Sequence, residues 1–303
     1  VSATRDRDRF LARAASALRR GPACARGVFL VAPDGFGRPS ETARDNLYMS
    51  SAPVELARAH AEHAGLARAL AARMPTVVFP GDPEAPDGVF PNNAFATVPG
   101  RLIVGRMRWP VRRRETARTD IRRFFTELLG YREIDLSRRD ELTAELTGSL
   151  VIDRARRIGY CGLSERCDEA GARAMHEAFG LAATFVFPLA PGEYHANVVM
   201  SSLAGRALLI APSGFADPAD ADCVIAAHGG AVVILDEAQK RAFAANAIAL
   251  DPETVWMSER AAGALTAAQA RQLERAGFRI LAMPLAELEK GGGSLRCLVA
   301  EIF

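Results

Sequence analysis

Short apolar runs recur along the chain, each after a small polar residue: Asn93-AFATV, Ser149-LVIDR, Asn197-VVMSS, Asn246-AIALD and Ser294-LRCLV. Their starts are spaced by about 50 residues, a period found in repeat architectures. Three runs lead through turn residues to a second apolar run. These are Pro99-Gly100 then RLIVGRM, DRARR then IGYCGLS, and LAGR then ALLIAP. Paired short runs around such turns predict β-hairpins. Helical patterns come next: RRRETARTDIRRFFTELLG, SERCDEAGARAMHEAFG, ADPADADCVIAAHG and LTAAQARQLERAG. They stop at Gly130, Gly180, Gly229 and Gly277. Glycine just past the last turn takes the left-handed conformation that ends a helix. The strand patterns YREIDLS, LAATFVFPL, GAVVILDE and FRILAMPL close the units.

The remaining unit is split between the chain ends. SLRCLVAEIF pairs with GVFLVAP at residues 27–33, followed by the helix PVELARAHAEHAGLARALAAR and the strand TVVFPGD. The pattern therefore predicts an α/β fold of five ββαβ units around a pseudo-axis. That is an α/β propeller with five-fold pseudo-symmetry, forming one domain over residues 27–303. An open α/β sheet is the alternative. Residues 1–26 are rich in Arg and Ala and lack the apolar stretch of a signal peptide. They read as a solvated tail or a short amphipathic helix.

Composition narrows the function classes. An apolar fraction of 49% and a charged fraction of 24% are ordinary for a globular chain of 303 residues. With 38 basic and 36 acidic side chains, nothing favours nucleic acid or a membrane as partner. No apolar run approaches the roughly 20 residues needed to span a bilayer. Cys24, Cys161, Cys167, Cys223 and Cys297 are odd in number and lack zinc-ligand spacing. Free thiols and a cytoplasmic setting are expected. No metal-ligand cluster, G-x-G-x-x-G or P-loop is present, so no metal and no cofactor are expected. The glycine run at 291–293 precedes a strand rather than a helix. A homo-oligomer is compatible with this reading.

If the units are equivalent, their starting positions face one centre. Four of the five starts carry reactive or hydrogen-bonding groups: Asp87 with Asn92 and Asn93, Glu145, His195 with Asn197, and Cys297. Cys297 follows Gly291-Gly-Gly-Ser-Leu-Arg, and such glycines permit close approach of backbone or ligand. A cysteine taken alone is more often a small buried hydrophobe. The other four cysteines read that way. His60, His63, His176 and His228 fall in helical patterns, whereas His195 does not. Glu145 alone reads as a loop carboxylate, Asp87 as a turn former and Arg166 as a surface charge.

The segments PDGVFPNN (86–93), ELTGSLVIDRARRIGYCGLSER (145–166), EYHANVVMSS (193–202) and GGGSLRC (291–297) resemble the guanidino-group-modifying superfamily, the penteins. That group includes arginine deiminases, dimethylarginine dimethylaminohydrolases, arginine dihydrolases, citrulline hydrolases and amidinotransferases. The resemblance implies the five-fold ββαβ propeller, or pentein fold. It implies Cys297 as nucleophile, His195 as general acid/base and Glu145 as the carboxylate holding the substrate's guanidino nitrogens. Asp87 would contact the same group, and Arg166 would bind the α-carboxylate of the substrate. Asn92 and Asn93 stand where dimethylarginine-hydrolysing relatives carry an acidic pair. Asn46, in ARDNLYM, matches a substrate-contacting asparagine. One departure is Leu146, where the family often has glycine. The implied partner is a guanidino or ureido amino acid: arginine, methylarginine or citrulline. The implied reaction is hydrolysis through a covalent thiouronium-type intermediate on cysteine. An amidinotransferase, or a catalytically silent binding or scaffold protein, is the alternative.

Overall fold

A computed structural model describes residues 3–303. Its strands form five small sheets. In three of them a hairpin gains a parallel strand that arrives after a helix. Phe95–Val98 runs antiparallel to Arg101–Val104, which pairs in parallel with Arg132–Asp135. Leu150–Asp153, Ile158–Leu163 and Ala183–Pro188 repeat this order. So do Met200–Leu203, Ala207–Ile210 and Ala231–Ile234. The chain ends meet in a fourth sheet. There Ala300–Ile302 runs antiparallel to Gly27–Val31, which pairs in parallel with Thr76–Phe79.

The fifth sheet is smaller, with only the parallel pair Thr254–Ser258 and Arg279–Met283. The strand expected after Asn246 is reduced to one antiparallel bridge between Ile248 and Trp256. The Asn246 amide donates to the Asn197 carbonyl at 2.8 Å, which ties this segment to the neighbouring unit.

Leu150–Asp153 and Ala207–Ile210 are buried at every residue. Strands covered on both faces read as continuous apolar runs, which is why periodicity exposed them. The helix Glu169–Phe179 starts at Asp168, whose carboxylate accepts from Gly171 N. Pro218–His228 starts at Asp217, with proline in its first turn. Gly130, Gly180, Gly229 and Gly277 have φ of 70°, 63°, 67° and 84°. The single helix expected over 112–130 is instead Pro110–Thr116, Thr119–Arg123 and a π turn at Phe124–Leu128. Arg112 and Glu115 are buried in a polar interior, while Ile121 and Phe125 pack into an apolar core.

The N-terminal segment forms a helix, Arg7–Ser16, capped by Asp6. Its Phe10 is fully buried, stacked on Phe185 at 5.1 Å with Tyr160 edge-on at 6.0 Å. Arg7 pairs with Asp217 and Asp220 on the helix Pro218–His228.

A single helical turn precedes four of the inner strands: Pro91–Asn93, Leu146–Ser149, Ala196–Val198 and Leu295–Leu298. Cys297 lies on the last of these turns rather than on a strand. Its amide donates to the Ser294 carbonyl at 2.9 Å. These turns pack against one another, Leu146–Ser149 and Leu295–Leu298 both against Pro91–Asn93.

Candidate active site

The turns carry a hydrogen-bonded series. Thr147 Oγ1 donates to the Asn92 carbonyl at 3.0 Å. Asn197 Nδ2 donates to the Thr147 carbonyl at 3.2 Å, and Asn246 Nδ2 to the Asn197 carbonyl at 2.8 Å. The Arg296 amide closes on the Asn246 carbonyl at 3.4 Å. Asn92, Thr147, Asn197 and Cys297 each stand three residues before their strand. Cys297 thus occupies a station where the other units place a polar side chain.

The Cys297 sulfur is buried. Asn246 Nδ2 lies 3.3 Å from it and Asn197 Nδ2 lies 3.6 Å away. Burial pushes the thiol up from its ordinary value, and the Asn246 amide opposes the shift. A Cβ at Gly293 would stand 3.1 Å from the Cys297 Cβ and 3.3 Å from its sulfur, so a side chain there would crowd the thiol.

Glu145 and His195 are fully buried. His195 Nε2 donates to Glu145 Oε2 at 2.9 Å, which leaves Nδ1 as the nitrogen with no partner. Burial lowers His195 to about 4, although the Glu145 carboxylate pulls it upward. The imidazole is therefore neutral at pH 7. Glu145 Oε2 also accepts from Arg112 Nη1 at 3.1 Å and Arg166 Nη1 at 3.2 Å. Burial alone would raise this carboxyl, but Arg166, Arg112 and His195 outweigh it and hold it well below the usual range.

Arg166 is locked by Asp45, which takes Nε and Nη2 at 2.7 Å each. Its Nη2 also reaches the Thr42 carbonyl at 3.3 Å. Of its five N–H donors, one remains free. Arg112 forms a second fork with Glu115, at 2.8 and 2.7 Å. Asn93 is oriented by these charges: its amide oxygen accepts from Arg112 at 3.2 and 3.3 Å, and its nitrogen donates to Asn92 Oδ1 at 2.9 Å. A Cβ on Gly148 would meet the Asn93 amide at 2.5 Å and His195 Nδ1 at 2.7 Å. Leu146, the departure from the family pattern, is buried in an apolar core behind Glu145.

A small cavity is lined by Asn46, Asp87, Asn93, Arg112, Arg166 and Cys297, together with Tyr194 and Gly293. His195 and Glu145 do not line it. Asp87 is buried 3.9 Å from Arg112, with one oxygen unpartnered. Burial raises its carboxyl, against the pull of Arg112 and Arg166. Asn46 donates to the Gly292 carbonyl at 3.4 Å from the loop that also carries Asp45. Tyr48 of that loop donates to Glu193 at 2.6 Å, and Tyr194 donates to the Gly292 carbonyl at 2.5 Å. Asn46 and Met49 of that loop line the cavity.

All eight sequence-derived residues therefore fall in one neighbourhood. The Glu145 carboxylate meets His195 and two arginines here. Sequence reasoning missed Arg112, Asp45 and Asn246. Arg112 was hidden in an arginine run that reads as a solvated helix face. Asn246 begins one of the recurring apolar runs, and that spacing is the signal that could have found it. Among the described residues no group of three or more His, Cys, Asp or Glu side chains is arranged to hold a metal ion. No helix among them is long and apolar enough to cross a membrane.

Solved structures share this fold. The N-terminal domain of ArgZ, an arginine dihydrolase from the ornithine–ammonia cycle in cyanobacteria, superposes with a TM-score of 0.79 in its substrate-bound mutant form. Identity is 20%, over 91% of this chain and 97% of that one. Unliganded AgrE gives 0.78 at 21% identity, over 92% of this chain and 40% of the larger AgrE chain. A dimethylarginine dimethylaminohydrolase adduct with 4-chloro-2-hydroxymethylpyridine gives 0.69 at 21% identity, over 91% and 99% of the two chains. No curated protein matches in sequence. The protein is a member of the guanidino-group-modifying superfamily, a hydrolase acting on the C–N bonds of amidines. Within it, the chain belongs to the family described as N,N dimethylarginine dimethylhydrolase, eukaryotic, whose model matches residues 32–303.

Proposed function

We propose that the protein hydrolyses the guanidino or ureido group of an arginine-like amino acid at Cys297, through a covalent intermediate. The observation that carries this reading is a buried thiol held by the Asn246 amide, together with a buried, Glu145-bound imidazole whose Nδ1 is free. The five sheets are read as the blades of a pentein propeller, with the chain-end sheet closing the ring.

Resting Cys297 is a thiol and resting His195 a neutral imidazole. A cationic guanidinium bound beside them favours the thiolate by direct charge attraction. Sulfur attacks the central carbon and forms the C–S bond. His195, having taken the thiol proton at Nδ1, passes it to the leaving amine as the C–N bond breaks. Water, deprotonated by the same nitrogen, then attacks the thiouronium carbon and releases the ureido product and Cys297. Positioned acid–base help of this kind contributes roughly 10²–10⁴-fold. Glu145 fixes the imidazole's tautomer and orientation instead of gripping substrate nitrogens.

Among the described residues, Asp87 is the only one to bring a carboxylate to the cavity lining, where it stands with the Asn93 amide. That lining suits an unmethylated guanidino group or a neutral ureido group. Arg166 would receive the α-carboxylate once Asp45 yields its place on the fork. The test is a panel of arginine, methylated arginines and citrulline, with assay of ammonia, amines, citrulline and ornithine. Turnover of at least one is expected, abolished in Cys297→Ser. No turnover of any member would sink the substrate class, and a requirement for an added amine acceptor would make the protein an amidinotransferase.

A further inference from the structure

A second cavity, of about 480 Å³, opens where the hairpin turns lie, at the strand ends remote from the Cys297 turns. Its volume is in the range of small-molecule sites, roughly 300–1,000 Å³. Arg20, Arg101, Arg154 and Arg157 line it, and no acidic side chain does. Arg154 is spoken for: it pairs with Glu301 at 3.3 Å, donates to the Thr97 carbonyl and lies over the Phe303 ring at 4.3 Å. Among the described residues, no carboxylate pairs with Arg20, Arg101 or Arg157. Arg20 and Arg157 are exposed and Arg101 is half-buried, so their guanidinium groups face the cavity and solvent. Three guanidinium groups without a carboxylate partner around one concavity give it a positive field that draws anions.

The turn adds a second observation. Arg157 adopts φ 58° in the turn before Ile158–Leu163. The neighbouring hairpin places Gly100, φ 70°, at the same point before Arg101–Val104. A side chain with a Cβ is strained there. A third hairpin turn also holds a non-glycine residue there, Ala204 at φ 50°; at the cavity rim Arg157 Nη1 reaches the Gly180 carbonyl at 3.4 Å. Leu181 and Phe179 give the cavity an apolar wall.

We propose that this cavity is a binding site for a small organic anion carrying at least two negative charges, phosphate or carboxylate, beside an apolar portion. Guanidinium forks on Arg20, Arg101 and Arg157 receive the oxygens, and the apolar wall receives the remainder. The site is separate from Cys297 and does not depend on the hydrolase reading.

Isothermal titration of the full chain with ATP, inorganic tripolyphosphate and citrate, with adenosine as the uncharged control, tests it. At least one anion is expected to bind below about 1 mM while adenosine does not. Affinity should fall as salt rises. ATP or citrate binding more tightly than tripolyphosphate supports the apolar wall, and tripolyphosphate binding alone overturns that part of the proposal. Arg157→Gly relieves the left-handed strain, so this variant folds, yet it should weaken binding about tenfold with substrate turnover unchanged. Arg101→Gln should do likewise. No binding by any of the three anions, or binding unchanged in Arg157→Gly, overturns the proposal.

Discussion

At Cys297 two opposing effects act on one sulfur. Burial disfavours the thiolate, and the Asn246 and Asn197 amides favour it. His195, at about 4, brings no positive charge to the free site at neutral pH. Alkylation of Cys297 against pH should therefore show a midpoint above the ordinary thiol value of about 8.5. Asn246→Ala removes a hydrogen bond to the charged form and should raise the midpoint further. An unchanged or lowered midpoint in the variant contradicts the amide's role. The neighbouring places of Cys297, His195 and Glu145 were legible because each stands at the start of a repeat and in a motif. Asp45 was not, because its fork with Arg166 joins residues 121 positions apart. No local pattern records such a pairing.

Among the helices, Leu56–Ala71 holds a titration of its own. It buries His63 with Nε2 unpartnered, and burial lowers that imidazole to about 4. An unfolded histidine titrates near 6.5. Between these values the unfolded chain binds the proton more readily. The stability present above pH 6.5 is therefore lost as pH falls toward 4. His63 alone accounts for roughly 2 kcal/mol of loss by pH 5. His195 and His228, also lowered to about 4 by burial, add to the slope. Urea midpoints at pH 7.5 and 5 should fall less in His63→Leu than in the wild type. Equal falls in the two proteins contradict the assignment. The helix was legible from its apolar spacing, and its four glycine-ended counterparts from their stops. The break within 110–128 was not, because the paired burial of Arg112 and Glu115 has no signature in an arginine-rich run.

Over the whole molecule, the pairing of the chain ends matters most. Ala300–Ile302 zips onto Gly27–Val31 three residues after Cys297. Loss of that seam and loss of the site are one event in this architecture. Protection of Cys297 from alkylation and far-UV circular dichroism should fall at the same urea concentration. Exposure of Cys297 well before the dichroism changes would mean that the seam opens by itself. The end-to-end pairing was readable because the first segment lacked a hairpin partner and the last offered one. The reduced fifth sheet was not, since Asn246-AIALD has a strand's composition but spends its side-chain amide on its neighbour and on the sulfur.

The central claim is that Cys297 carries the substrate's carbon during turnover. Acid-quenched wild-type protein, mixed with whichever panel substrate it turns over, should yield a peptide containing Cys297 heavier by the substrate less its leaving amine. Cys297→Ser should yield none. Turnover with an unmodified Cys297 at every quench time, and retained activity in Cys297→Ser, would contradict it.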